Sequence, residues 1–167
     1  MRQGIEQDKG MRFCLLDRIV ELEPGVRITA VKRLRPDEDY LRDHFPRFPV
    51  MPGVLMLEAM YQAAAWLVRQ SEGFVHSMVL LKEARNIKYA DFVTPGQELV
   101  VTCEILKQDE TLTTLKAQGT IEGNPAVHGR LVLERFNLAE RFPSRRHTDP
   151  YLRAELREVL RRLLPPA

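Results

Sequence analysis

Between Val50 and Val68 the chain carries one charge, Glu58, among side chains that are otherwise aliphatic, aromatic or amide. A helix that is apolar on every side belongs in an interior, so this run must be enclosed by the rest of the fold. A carboxylate placed there costs several kcal/mol unless it is hydrogen-bonded, paired or held neutral. Two readings follow. Burial would raise the Glu58 pKa and suit it to act as a general acid near neutral pH. Equally, Glu58 could bond Gln62, one turn further on the same face, or pair with an arginine at a subunit interface. The residues alone leave both open.

A bilayer is the other apolar interior, and ~20 such residues would span it. Glu58 and Gln62 fall in mid-run, however, and Pro52-Gly53 opens the segment as it would open a soluble helix. The polar stretch Met1 to Lys9 lacks the apolar core of a signal peptide, so no secretion and a cytoplasmic location are expected. Cys14 and Cys103 lie far apart and form no metal-type cluster with the four histidines. They read as buried small hydrophobes in a reducing compartment, and no metal is expected.

The chain has 167 residues, about one domain's worth, with the 44% apolar and 29% charged content of an ordinary globule. A net charge of +2 argues against a dedicated nucleic-acid binder. The charge is unevenly spread: residues 141–167 hold seven arginines against three acids. The expected division is a main domain over 1–140 and an Arg-rich linker with a C-terminal helix over 141–167.

Phe13 to Leu22 and Val26 to Leu34, joined at Glu23-Pro24-Gly25, look like a hairpin. A short helical turn is expected over Pro36 to Asp43. The prolines at 46, 49 and 52 predict an extended, irregular loop from His44 to Met51. A long helix then runs from Pro52 or Gly53 to about Gln70 or Ser71, stopped by Gly73. Strand-like runs follow at Val75 to Lys82, Ala84 to Tyr89, Glu98 to Gln108, Leu112 to Ile121 and Ala126 to Phe136. The simplest packing of that order is an α+β domain whose antiparallel sheet wraps one central helix. Phe142 to Asp149 reads as a linker. Past Pro150, leucines 152, 156, 160, 163 and 164 and Val159 form one stripe of an amphipathic helix.

Three residues could carry chemistry. Glu58 is the first. His44, on a constrained loop, is a candidate general base, though a lone histidine also serves as a surface or capping group. Gly53 could offer an unencumbered N–H at a helix N-terminus to a developing oxyanion, or it merely starts the helix. His76, His128 and His147 have no partner at metal-ligand spacing and read as structural.

His44-Phe45-Pro46, Pro49-Val50-Met51-Pro52-Gly53-Val54-Leu55, Leu57-Glu58-Ala59-Met60 and Gln62-Ala63-Ala64 together closely resemble the hotdog-fold (3R)-hydroxyacyl-acyl-carrier-protein dehydratases of bacterial fatty-acid synthesis. Leu16-Asp17-Arg18-Ile19, Arg27-Ile28-Thr29-Ala30-Val31-Lys32, Lys88-Tyr89 and Val93-Thr94-Pro95-Gly96 are similar too. The resemblance spans Phe13 to Leu138. It implies a sheet wrapped around the helix, homodimers that pair their sheets, and further assembly into hexamers as trimers of dimers. It further implies that His44 takes a proton from C2 of the substrate and that Glu58, from the neighbouring subunit, protonates the departing hydroxyl. Gly53 N–H would hold the thioester oxygen. Phe45, Val54, Leu55, Met56, Met60, Gln62 and Phe92 would lie along the acyl chain. The implied partner is an acyl carrier protein, and no cofactor is needed.

Two departures from the family pattern stand out. Arg47-Phe48 replaces the usual Gly-His, and Ala90-Asp91 replaces a basic pair, which alters the surface that an acidic carrier protein would meet. Two other functions share the fold: an acyl-thioester hydrolase, and a non-catalytic carrier-binding subunit.

Overall fold

A computed structural model describes residues 13–167; the expectation for Met1 to Lys9 falls outside them. Six strands make one antiparallel sheet: β1 (Arg18–Glu23), β2 (Arg27–Arg33), β3 (Met78–Tyr89), β4 (Glu98–Gln108), β5 (Leu112–Ile121) and β6 (Asn124–Phe136). Their order is β1-β2-β4-β5-β6-β3. The sheet wraps α1 (Gly53–Ser71), which touches β2 to β6. Two helices follow the last strand, α2 (Leu138–Arg141) and α3 (Thr148–Leu163). This is the hotdog arrangement, with a helical tail added.

The apolar run forms α1 because its smallest and largest side chains share one stripe. Met56, Ala59, Met60, Ala63 and Leu67, at i, i+3, i+4, i+7 and i+11, are all buried against the sheet. The alanines let the helix sit close, so Ile28, Leu99, Leu115 and Leu131 reach it from the strands. Each such large side chain contributes about 1.5–3 kcal/mol on burial. Pro52 precedes the first turn, and Gly73 at φ 65° ends the last, with Phe74 N–H donating to Arg69 O at 2.8 Å. No helix among the described residues is long and apolar enough to cross a membrane.

β4 and β5 span the residues expected. The β5–β6 connection is tighter than expected: Glu122 and Gly123, both at positive φ, turn the chain in two residues, so β6 begins at Asn124. Val75 to Lys82 and Ala84 to Tyr89 prove to be parts of one twelve-residue strand, β3. Its register against β6 shifts between Leu81 and Glu83 and again between Arg85 and Lys88. Those bulges, with Asn86 at φ 53°, break the alternation by which a strand is read from sequence. β1 starts only at Arg18, because Phe13 to Leu16 leaves the ladder to lie along α1.

The segment from Phe142 to Asp149 runs exposed through residue 147 and ends on a buried group. Pro143–Arg145 is a 3-10 turn, and Asp149, 4% exposed, begins α3 as a buried clasp. Its carboxylate accepts from Ser77 Oγ–H and from Leu138 and Ala139 N–H at 2.8 and 3.1 Å. Burial works against its charge, but those three donors prevail and hold the carboxyl below its ordinary range. At the far end of α3, Leu160 and Leu163 join the core, with Leu156, Val159 and Leu164 beside them.

Candidate active site

His44 is placed by a chain of local bonds. Lys32 Nζ meets Glu38 at 2.6 Å with both groups largely buried, and Tyr40 donates its hydroxyl to the same carboxylate. Tyr40 O then accepts from Asp43 and His44 N–H. Beyond His44 the chain is not extended. Phe45 and Phe48 exchange backbone bonds of 3.1 and 3.0 Å around Pro46-Arg47, a β-turn with proline at its second position. Val50 N–H closes the loop onto His44 O at 2.9 Å, and Met51 N–H bonds Val93 O. The prolines removed donors without preventing the turn.

His44 Nδ1 lies 3.0 Å from Val50 O. A carbonyl only accepts, so Nδ1 carries the hydrogen and Nε2 of the neutral ring presents a lone pair. The ring stacks on Phe45, with centroids 4.3 Å apart. Phe48 meets Phe92 edge-on at 5.5 Å. Phe45, Phe48, Val54, Tyr89 and Phe92 are all substantially exposed, an apolar surface around the N-terminus of α1.

Gly53 is the first residue of that helix, where N–H groups have no partner within the helix. It is also tightly overlaid: a Cβ there would lie 3.0 Å from Cε1 of Tyr89. This overlay joins residues 36 positions apart, and no local pattern in the sequence signals it.

Glu58 lies on the opposite side of α1 from the sheet and is half-buried, not enclosed as its apolar neighbours suggested. It accepts from Gln62 Nε2 at 3.0 Å. The Gln62 amide is fully committed, since its oxygen takes Leu15 N–H at 2.9 Å and its nitrogen also reaches Phe13 O at 2.7 Å. Gln62 therefore braces the entry to β1 as well as Glu58. Both line a cavity of about 230 Å³ with Tyr61, Trp66, Arg69 and Val159. Cys14 also lines it, half-buried with its thiol pushed up by desolvation, whereas Cys103 is wholly buried and pushed up to about 12.

Of the side chains expected along an acyl chain, Phe45, Val54 and Phe92 are exposed and Leu55 is partly so. Met56 and Met60 are both buried in the core, on the stripe of α1 that faces the sheet. His44 does not line the Glu58 cavity of its own chain. Among the described residues no group of acids, histidines and cysteines could hold a metal ion.

The FabA-like domain family matches residues 8–133 of the chain. The 3-hydroxyacyl-(acyl-carrier-protein) dehydratase FabZ of Ruminiclostridium cellulolyticum is 34% identical over 119 residues, covering 71% of this chain and 84% of its own. The enzyme of the same name from Lactococcus lactis subsp. cremoris is 35% identical over 119 residues, covering 71% and 82%. Among solved structures, the dehydratase heterocomplex ApeI:P from Xenorhabdus doucetiae is similar in fold, with a TM-score of 0.61 at 20% identity over 77% of this chain and 87% of that one.

Proposed function

The chain belongs to the FabA-like domain family, and from that membership we propose that it dehydrates (3R)-3-hydroxyacyl-acyl-carrier-protein to the trans-2-enoyl thioester in fatty-acid or related lipid synthesis. It is a hydro-lyase. The observation that carries this reading is the identity of 34–35% with dehydratases across 119 residues, together with the presence of His44 and Glu58 within residues 8–133, the span of the family match.

In this mechanism His44 Nε2 takes the proton from C2 of the 3-hydroxyacyl thioester. The tautomer set by Val50 O supports that role. The C2 electrons form the new double bond as the C3–O bond breaks, and Glu58 gives its proton to the departing hydroxyl, which leaves as water. Gly53 N–H, at the positive end of α1, stabilises the charge that gathers on the thioester oxygen. The site needs two chains: Glu58 lies on the outer face of α1, in a cavity that His44 of the same chain does not line. Homodimerisation would bring His44 of one chain to Glu58 of another, with the exposed surface of Phe45, Val54 and Phe92 against the acyl chain. In this reading the carrier protein delivers the thioester, and the cytoplasm is the proposed setting.

The test runs the reaction in reverse, as hydration. Purified protein is mixed with a trans-2-enoyl thioester and the loss of the conjugated enoyl absorbance is followed. Dehydratase chemistry requires that the signal falls with wild-type protein and persists with His44→Ala and with Glu58→Gln. Release of free thiol instead would make the protein a thioester hydrolase, and no turnover would leave a binding subunit.

A further inference from the structure

The cavity beside Glu58 ends on a cation. Glu58, Gln62, Ala65 and Arg69 stand at i, i+4, i+7 and i+11 of α1, one outward stripe of the helix, and all four line the cavity. Arg69 is therefore about 16 Å along the helix axis from Glu58. Its Nε is buried without any hydrogen-bond partner. The guanidinium stands 5.2 Å from the Trp66 ring centroid and beside the Tyr61 hydroxyl, which itself donates to Val79 O at 2.6 Å.

No carboxylate among the described residues closes on Arg69. Glu72, the nearest acid to act on it, is occupied by His76 at 2.8 Å and by Arg135 at 3.4 Å. Burial pushes the Arg69 guanidinium down from its ordinary value, with Tyr61 and Glu72 only opposing. Arg69 as a whole is only partly buried, but a charged group with a buried nitrogen is normally paired, and a planar fork of N–H groups is best satisfied by a carboxylate. On the side away from α1, Val159 of α3 contributes to the cavity wall. At about 230 Å³ it is smaller than the ~300–1,000 Å³ that takes a drug-sized ligand, so it suits a single narrow chain.

We propose that Arg69 receives a carboxylate at the distal end of the acyl chain, so that the enzyme works on 3-hydroxyacyl thioesters that are acidic at their far end. This rests on the dehydratase reading for the reaction, but not for the binding. Arg69 is a specificity residue here, remote from the reacting carbons.

The experiment compares two 3-hydroxyacyl pantetheine thioesters of equal length, one ending in a carboxylate and one in a methyl group. Wild-type kcat/KM should favour the acid-ended substrate by about ten-fold or more, the discrimination a charge-assisted hydrogen bond gives. Arg69→Met should bring the ratio to about one, chiefly through KM, and Arg69→Lys should restore part of it. Trp66, the single tryptophan, sits in the cavity wall, so its fluorescence reads binding of the matching acyl thioesters that lack the hydroxyl.

Tighter binding of the acid-ended thioester that disappears in Arg69→Met sustains the proposal, even if neither substrate is dehydrated. Turnover with no end-group preference overturns it and leaves the dehydratase intact. So does a ratio that survives Arg69→Met. A change of oligomeric state in Arg69→Met without wild-type preference also overturns it, since a second copy then supplies the carboxylate.

Discussion

The ring of Tyr89 occupies the space into which a side chain at Gly53 would grow. A Cβ on Gly53 would lie 3.0 Å from Cε1, 3.1 Å from Cζ and 3.4 Å from Cδ1. The contact joins the last residue of β3 to the first residue of α1, where the proposed oxyanion donor sits. Gly53→Ala should lower enoyl hydration by about ten-fold while leaving the chain folded, because the ring must shift by a few tenths of an ångström. In a Tyr89→Ala background the same change should cost much less, a coupling of about 0.5–3 kcal/mol. Equal losses in both backgrounds would show that the ring is not what forbids a side chain there.

Removing either proposed proton carrier should cost activity without costing the fold. His44→Ala and Glu58→Gln are each expected to reduce turnover by about 10²–10⁴. Glu58→Gln keeps the shape and a partner for Gln62, so its melting temperature should stay within a few degrees of wild type. A large fall in that temperature would recast Glu58 as a structural group.

Asp149 makes the tail's docking pH-dependent. Its folded pKa is depressed, so its stabilisation is fully present above the ordinary aspartate value, about 3.9. That stabilisation is lost as pH falls through the lower, folded value. Amide exchange in α3, corrected for intrinsic rates, should therefore be slow at pH 7 and faster near pH 3. Asp149→Ala should weaken the docking by about 1–3 kcal/mol at neutral pH, the penalty of stranded buried donors. Protection of α3 that is the same in this variant and in wild type would refute the clasp.

Two glycines of the sheet should differ in their tolerance of a methyl group. At Gly119 an added Cβ meets side-chain tips, Leu99 Cδ1 at 2.7 Å and Val127 Cγ1 at 2.9 Å. At Gly129 it meets Ile87 Cδ1 at 2.4 Å and the backbone of Arg85 at 3.0 Å. Flexible tips can turn aside and a strand cannot. Gly129→Ala should thus be the more destabilising in denaturant melts, at the upper end of about 1–3 kcal/mol for overpacking.

What could be read from the sequence was local. Pro52-Gly53 and Gly73 bracket α1 because proline fixes φ at a helix start and glycine takes the left-handed ending. β4 and β5 alternate cleanly because only one face of each is buried. What escaped was made by distance in the chain. Ser77 meets Asp149 across 72 positions, and Gln62 meets Leu15 across 47. Neither spacing has a periodicity to betray it. The apolar neighbours of Glu58 suggest enclosure, but they include both the stripe that faces the sheet and the stripe that faces away.

The docked tail bears on where this protein can be cut. The family match ends at residue 133, inside β6, while the cavity wall at Val159 and the core leucines 160 and 163 come from 26 to 30 residues further on. A recombinant form trimmed to the relatives' length would lose the clasp on Ser77 and lay bare the apolar ground beneath α3. Such a fragment invites aggregation during purification, and its substrate range would not report on that of the intact protein.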